Sequence, residues 1–293
     1  MEKQITIIIP AYNEAESLRC NFQEVINFAE QNNFFVILVN DGSKDDTRKV
    51  VESIASNHSC VTIINHKLNK GYGAAIKSGI AITKTPYLVT IDADGQHSLD
   101  DILKLYSKLQ EFDADMVIGS RKGKNIKSYY RHIGKSIIRS FAKLVMTVPI
   151  YDLNSGMKLY DTSLAIKYAN LCPDAMAFSD FIALVFINQK HLVLEEPIVI
   201  KERKHGKSTI SLNTAINTIL AIIHILLLFN PLRFFLPIAM INILFGIGWG
   251  LPFLIMRRGI SGAAIITVIS GLIFFFLGLI AEQISMMRKE RLK

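Results

Sequence analysis

The sequence predicts an α/β domain built on a doubly wound, mostly parallel sheet, continued by an apolar tail that crosses a membrane twice. Three observations predict it. Short Ile- and Val-rich runs alternate with helical patterns over the first 120 residues. That is the pattern of strands buried on both faces beneath helical layers. Two charge-free stretches, 23 and 19 residues long, lie near the end of the chain. The charge is also uneven, because +6 of the net +8 falls after His205.

The elements follow in order. Strands are expected at Gln4–Pro10, Phe34–Asn40, Val61–Asn65, Tyr87–Ala93 and Met116–Ser120, all nearly apolar. Helical spacing marks Glu14–Gln31, Asp45–Asn57, Gly73–Thr83 and Leu99–Phe112 between them. Asp152 to Glu202 reads as mixed α/β, with strands at Gly156–Tyr160 and Leu192–Lys201 and a helix at Phe181–Gln189. Thr209–Phe229 is amphipathic and suits a helix lying in a membrane interface. Phe234–Met256 and Ala263–Ala281 are each long enough to span a bilayer. The chain thus divides into a head over residues 1–208, a juxtamembrane helix over 209–232 and a hairpin over 233–293.

This composition excludes a disordered chain, a collagen-like fibre and a plain soluble globule. The basic excess is attached to an apolar tail, which argues for a membrane surface and against nucleic acid. Cys20, Cys60 and Cys172 are few, odd in number and far apart, so neither a zinc site nor a disulfide framework is expected. The Ile5–Ile9 run is too short for a secretory leader. Basic residues flank the hairpin: Lys201, Arg203, Lys204, Lys207 and Arg233 before it, and Arg288, Lys289, Arg291 and Lys293 after it. The positive-inside rule then places the head and both termini in the cytoplasm of a multi-pass membrane protein. Arg257 and Arg258 in the turn run against the rule.

In open α/β sheets ligands bind beyond the carboxyl ends of the strands, and polar clusters gather there. They are Pro10-Ala11-Tyr12-Asn13-Glu14, Asn40-Asp41-Gly42-Ser43, Asp92-Ala93-Asp94-Gly95-Gln96-His97 and Gly119-Ser120-Arg121, with the loop Asn69-Lys70-Gly71-Tyr72-Gly73 nearby. Each alone is an ordinary turn with a helix cap; together they mark one rim. Asp92-x-Asp94-x-Gln96 offers hard oxygen donors for Mg²⁺ or Mn²⁺, which favour one or two carboxylates plus substrate phosphates. No GxGxxG or GxxxxGK[ST] is present, which disfavours a dinucleotide cofactor and an NTPase. From Arg121 to Lys143 eight basic residues occur with no acidic one. Lys127, Arg131, Lys135, Arg139 and Lys143 recur every four residues, a helical stripe of like charges that a phosphate or an anionic bilayer would relieve.

These motifs, with Asn154-Ser155-Gly156-Met157-Lys158 and Arg203-Lys204-His205-Gly206-Lys207-Ser208, resemble the GT-A-type inverting glycosyltransferases related to dolichyl-phosphate mannose synthase. The match covers about the first 208 residues. The two-span tail resembles the bacterial polyprenyl-phosphate glycosyltransferases of that family. The resemblance implies that Pro10, Tyr12, Glu14, Asp41 and Lys70 hold the nucleoside and that Asp92 lies beside the ribose and sugar. It implies that Asp94 and Gln96, with Asp92, hold the metal. Arg121, Arg131, Lys135 and Ser136 would face the acceptor phosphate, and Arg203 and Lys207 would close over the diphosphate. Asp180 is a candidate base or acceptor-orienting residue. The implied partners are a nucleotide sugar, a polyprenyl phosphate and the bilayer. UDP- and GDP-sugars remain open at this point, as does assembly into a homo-oligomer.

Two other readings stand beside this one. A processive polysaccharide or glycolipid synthase would carry QxxRW, whereas Trp249, the single Trp, lies within the first apolar span. A non-catalytic scaffold or nucleotide-sugar sensor would not need Asp92, Asp94, Gln96 and Arg131 together.

Overall fold

The computed structural model describes residues 4–121, 150–200, 223, 227–228, 230–256, 259 and 261–291. The described residues up to 200 form one compact unit, and those from 223 onward form a second.

In the first unit, β1 (Ile5–Ala11), β2 (Phe35–Asn40), β3 (Val61–Asn65), β4 (Tyr87–Thr90), β5 (Met116–Ser120), β6 (Lys158–Asp161) and β7 (Val193–Pro197) make one sheet. Its order is β3-β2-β1-β4-β6-β5-β7. All pairings are parallel except those of β6, which runs antiparallel to both β4 and β5. The helices are α1 (Ala15–Gln31), α2 (Thr47–Ala55), α3 (Tyr72–Ile82), α4 (Asp100–Phe112), α5 (Thr162–Ala169) and α6 (Phe178–Asn188). Every residue of β1 is buried, as a strand covered on both faces requires. Ile7, Ile9, Val36, Leu38, Val89 and Val117 join Leu18, Phe22, Ile26, Ile102 and Leu105 from α1 and α4 in the core.

The expected doubly wound, mostly parallel sheet is borne out. Two local differences matter. β4 stops at Thr90 rather than Ala93, because the chain leaves the sheet to deliver Asp92 and Asp94 to the rim. Helix α5 has no counterpart in the sequence reading. Asp161 caps it by accepting the N–H of Leu164 at 3.0 Å. The direction switches between β1 and β4, since β2 and β3 extend one way from β1 and the later strands the other. Their ends frame the crevice where such sheets take ligands.

The second unit holds α7 (Pro231–Ile255) and α8 (Gly262–Arg291). Both are long and apolar enough to cross a membrane, and only 17% of the most apolar stretch of each is buried. A core helix of a soluble protein would be mostly buried. The helices approach closely where side chains are absent. A Cβ on Gly271 would lie 2.6 Å from Ile243 Cγ1, and one on Gly246 2.7 Å from Val268 Cγ2. Glu282 accepts the N–H of Leu232 at 3.3 Å and the Ser285 hydroxyl donates to the Leu228 carbonyl at 2.7 Å. Most of the expected interfacial helix over 209–229, and all of the basic stripe after Arg121, lie outside the described residues.

Candidate active site

The rim is assembled from loops that hydrogen-bond to one another. After β1, Asn13 takes a left-handed backbone at φ 55°. Its N–H donates to Ser43 Oγ at 3.0 Å, and its Oδ1 accepts the Lys44 N–H at 2.8 Å. The first N–H groups of α1 are met by the neighbouring loop: Glu14 donates to Thr47 Oγ1 and Ala15 to Asp45 Oδ2. Burial pushes the Asp45 carboxyl up, but hydrogen bonds from the Thr47 hydroxyl and from backbone N–H groups outweigh it, leaving the pKa below the usual range. Glu14 Oε2 accepts the Ser17 hydroxyl at 2.7 Å. Tyr12 stands 40% exposed, whereas Pro10 is buried within β1.

Asp41 closes β2 and organises the loop before α3. Its Oδ1 accepts the Lys70 N–H at 2.9 Å and lies 2.6 Å from His66 Nδ1. Its Oδ2 accepts the Gly71 N–H at 2.8 Å. His66 Nε2 lies 2.8 Å from the Ser78 hydroxyl. The adjoining Gly42 has φ +66°, and a Cβ there would sit 2.4 Å from the Leu68 carbonyl carbon. Only glycine allows the β2 end to rest against this loop. The Lys70 side chain is exposed. The N-terminus of α3 is plugged, because the Asp174 carbonyl accepts the N–H groups of Gly73 and Ala74.

Beyond β4, Asp92 accepts the Tyr72 hydroxyl at 3.2 Å on Oδ1, and His97 Nε2 lies 3.5 Å from its Oδ2. Burial would raise the Asp92 pKa. The hydrogen bond and charge of His97, then the Tyr72 hydroxyl and the charge of Lys158, outweigh it and hold the carboxyl below its usual range. Burial and the same carboxylate push the Tyr72 phenol well above its usual value. Asp94 Oδ1 accepts the Gln96 N–H at 3.1 Å, so the two prospective ligands share one turn. Among the described residues no three His, Cys, Asp or Glu side chains converge as a metal cage. The donors available are the carboxylates of Asp92 and Asp94 and the Gln96 amide oxygen. Hard oxygen donors in this number fit Mg²⁺ or Mn²⁺ completed by substrate phosphates.

The opposite wall comes from the segment entering β6. Because β6 is antiparallel, its first residue pairs with Thr90 of β4 and Ile118 of β5, beside the carboxyl ends of its neighbours. That residue is Lys158, fully buried, whose Nζ donates to the Ser155 carbonyl and the Ser179 hydroxyl. Burial lowers its pKa to about 8, although Asp180, Asp152 and Asp92 all pull upward. Asp180, buried in the first turn of α6, also acts electrostatically on Tyr72 and Arg121. Arg121 grips Asp152 with two hydrogen bonds of 2.6 Å, and its backbone N–H donates to the same carboxylate at 3.1 Å.

The structure therefore brings Asp92, Asp180, Arg121, Tyr72 and Lys158 into one electrostatic cluster, with Asp94 and Gln96 on the adjoining turn. Arg121 is committed to Asp152, a pairing that sequence reasoning did not see. Arg131, Lys135, Ser136, Arg203 and Lys207 lie outside the described residues. Sequence reasoning gave no role to His66, Tyr72, His97 or Lys158. The signal for the last would have been a lysine opening a strand directly after Ser-Gly-Met.

The chain matches the family model of glycosyl transferase family 2 over residues 6–181 and that of the GtrB C-terminal hairpin over residues 230–287. It is 26% identical to an undecaprenyl-phosphate 4-deoxy-4-formamido-L-arabinose transferase of Aeromonas hydrophila, covering 97% of this chain and 89% of that one. It is 31% identical to a dolichyl-phosphate beta-glucosyltransferase of Trichomonas vaginalis, over 53% of each chain, so it spans about half of that relative. Glucosyl-3-phosphoglycerate synthase from Mycobacterium tuberculosis, crystallised with Mn²⁺, UDP-glucose and phosphoglyceric acid, superposes with a TM-score of 0.54. That match has 15% identity over 75% of this chain and 79% of the other, which speaks for the GT-A-like fold alone. With a family model spanning most of the sheet and its rim, the chain belongs to glycosyl transferase family 2 and is a glycosyltransferase.

Proposed function

We propose that the chain transfers a single sugar from a nucleotide sugar to a polyprenyl phosphate at the cytoplasmic face of a membrane, with inversion at the anomeric carbon. The observation that carries this reading is the pairing, in one chain, of a family 2 domain with a hairpin of the GtrB type. A relative named for transfer to undecaprenyl phosphate aligns across nearly the whole length.

The chemistry asks little covalent work of the protein. A phosphomonoester carries about −1.5 to −2 charge near neutral pH, so its oxygen is already a nucleophile. That oxygen attacks the anomeric carbon, the bond from this carbon to the diphosphate breaks, and the nucleoside diphosphate leaves with the electron pair. Tyr12, Glu14 and Asp41 hold the nucleoside beyond β1 and β2, with Lys70 beside them and Pro10 shaping the strand beneath. Asp92, kept ionised by His97, Tyr72 and Lys158, orients ribose and sugar hydroxyls. Asp94 and Gln96, with Asp92, would hold Mg²⁺ or Mn²⁺, which would supply charge neutralisation for the leaving diphosphate. Arg203 and Lys207 act on that same charge. Arg131, Lys135 and Ser136 seat the acceptor phosphate, and Arg121 borders it from its anchor on Asp152. Asp180 orients the acceptor from the first turn of α6.

The test uses the purified full chain in detergent with labelled nucleotide sugars, Mn²⁺ or Mg²⁺ and a polyprenyl phosphate. One sugar per lipid is the expected product. No lipid-linked sugar across a broad donor panel would refute the reading, and a polymer would point to a processive synthase.

A further inference from the structure

Asp41 is almost enclosed, with 4% of its side chain exposed, and His66 beside it is 5% exposed. A carboxylate offers about four lone-pair positions, two on each oxygen. Oδ1 uses both of its own, one for the Lys70 N–H and one toward His66 Nδ1. Oδ2 uses one, for the Gly71 N–H. His66 is held in turn by Ser78, so the saturation of Oδ1 is built into the packing. Among the described residues this leaves one acceptor position, on Oδ2.

Resting on the reading that Asp41 meets the donor's base, we propose that this single position selects a pyrimidine imide, uracil or thymine, over guanine, cytosine and adenine. The imide presents one ring N–H between two carbonyls, and one acceptor satisfies it. Guanine presents N1–H and an exocyclic amine side by side, a fork that needs two acceptor atoms in register. Its second donor would face the saturated Oδ1 and go unmet, which is costly in an enclosed site. Cytosine and adenine carry a lone pair at the corresponding ring nitrogen, which a carboxylate repels. His66 is therefore a positioning residue for base choice. It occupies the lone pair that would otherwise complete a guanine-binding fork.

The experiment is titration calorimetry of the full chain in detergent with Mn²⁺ against UDP, dTDP, GDP, CDP, ADP and 3-methyluridine 5′-diphosphate. The methylated probe blocks the imide N–H and leaves the protein unaltered, so no folding defect enters. UDP or dTDP is expected to bind at least about 10-fold more tightly than the other natural diphosphates. The 3-methyl probe is expected to lose about 10-fold or more against UDP. GDP, CDP or ADP binding as tightly as UDP would overturn the proposal while leaving sugar transfer intact. Equal binding of UDP and its 3-methyl derivative would do the same. Failure of every diphosphate to bind would remove the transferase reading itself, and this inference with it.

Discussion

Gly156 offers a direct test of how Asp92 is placed. A Cβ on this residue would fall 2.2 Å from Asp92 Oδ2 and 2.6 Å from its Cγ. Real Cβ contacts essentially never fall below 3.0 Å, so Gly156→Ala must separate the two groups by at least about 0.8 Å. The Gly156 backbone has little freedom to yield. Its carbonyl accepts the Thr90 hydroxyl at 2.9 Å, and Ser155 beside it is tied to Lys158 and Ser179. The carboxylate must therefore move, which disturbs a Tyr72 hydrogen bond already 3.2 Å long and a His97 contact of 3.5 Å. Misplacing a reacting group by roughly 1 Å costs about 100-fold in rate. Turnover of Gly156→Ala in the lipid-transfer assay is expected to fall by about that factor, with a melting temperature near that of the unaltered chain. Wild-type turnover in a folded Gly156→Ala protein would refute the placement of Asp92 against this backbone.

Four further outcomes follow from the same rim. Lys158 has its pKa lowered to about 8 by burial, against about 10.4 for an unfolded lysine. The unfolded chain then binds more protons between these values, so the Lys158 contribution is flat below about pH 8. It rises by about 3 kcal/mol toward pH 10.5, read as the stability difference between wild type and Lys158→Met in denaturant titrations across that range. Arg121→Ala removes two charged hydrogen bonds from buried Asp152. With the guanidinium partly exposed, the expected loss is about 1–2 kcal/mol by thermal or chemical unfolding. Asp94→Ala is expected to lower turnover roughly 100-fold or more with little change in melting temperature. EDTA should abolish transfer by the unaltered chain and Mn²⁺ or Mg²⁺ should restore it, both measured with the same labelled donor.

Much of this architecture was legible because burial on both faces leaves a plain record. Ile5–Ala11, Phe35–Asn40 and Met116–Ser120 are near-continuous apolar runs, and the polar residues just beyond them are the rim. The same rule concealed Lys158. It directs attention to the carboxyl ends of strands, yet β6 is antiparallel and brings its amino end to that rim. A lysine inside an apolar stretch reads as a mistake of period until its three carboxylate neighbours are known. Arg121 was visible as a cation, but its partner is 31 residues away, across a stretch whose pairing no local spacing encodes. His66 was invisible for a similar reason: it follows β3, while the Asp41 it orients follows β2.

The charge of the rim, taken group by group, explains why a metal-dependent donor suits it. Asp92, Asp152 and Asp180 act on both Arg121 and Lys158 among the described residues, with Asp94 on the adjoining turn. Arg121 is spent on Asp152, and Lys158 is shared among Asp180, Asp152 and Asp92. Among these groups the carboxylates outnumber the cations, and His97, Tyr72 and Lys158 hold the half-exposed Asp92 carboxyl below its usual range. A nucleoside diphosphate arriving alone would meet like charge at short range, where a reduced dielectric strengthens repulsion. The same carboxylates would become attractive to a diphosphate accompanied by a divalent cation, which on the proposed reading Asp94 and Gln96, with Asp92, would hold. On the proposed reading, such a rim would favour the metal-complexed donor over the bare diphosphate.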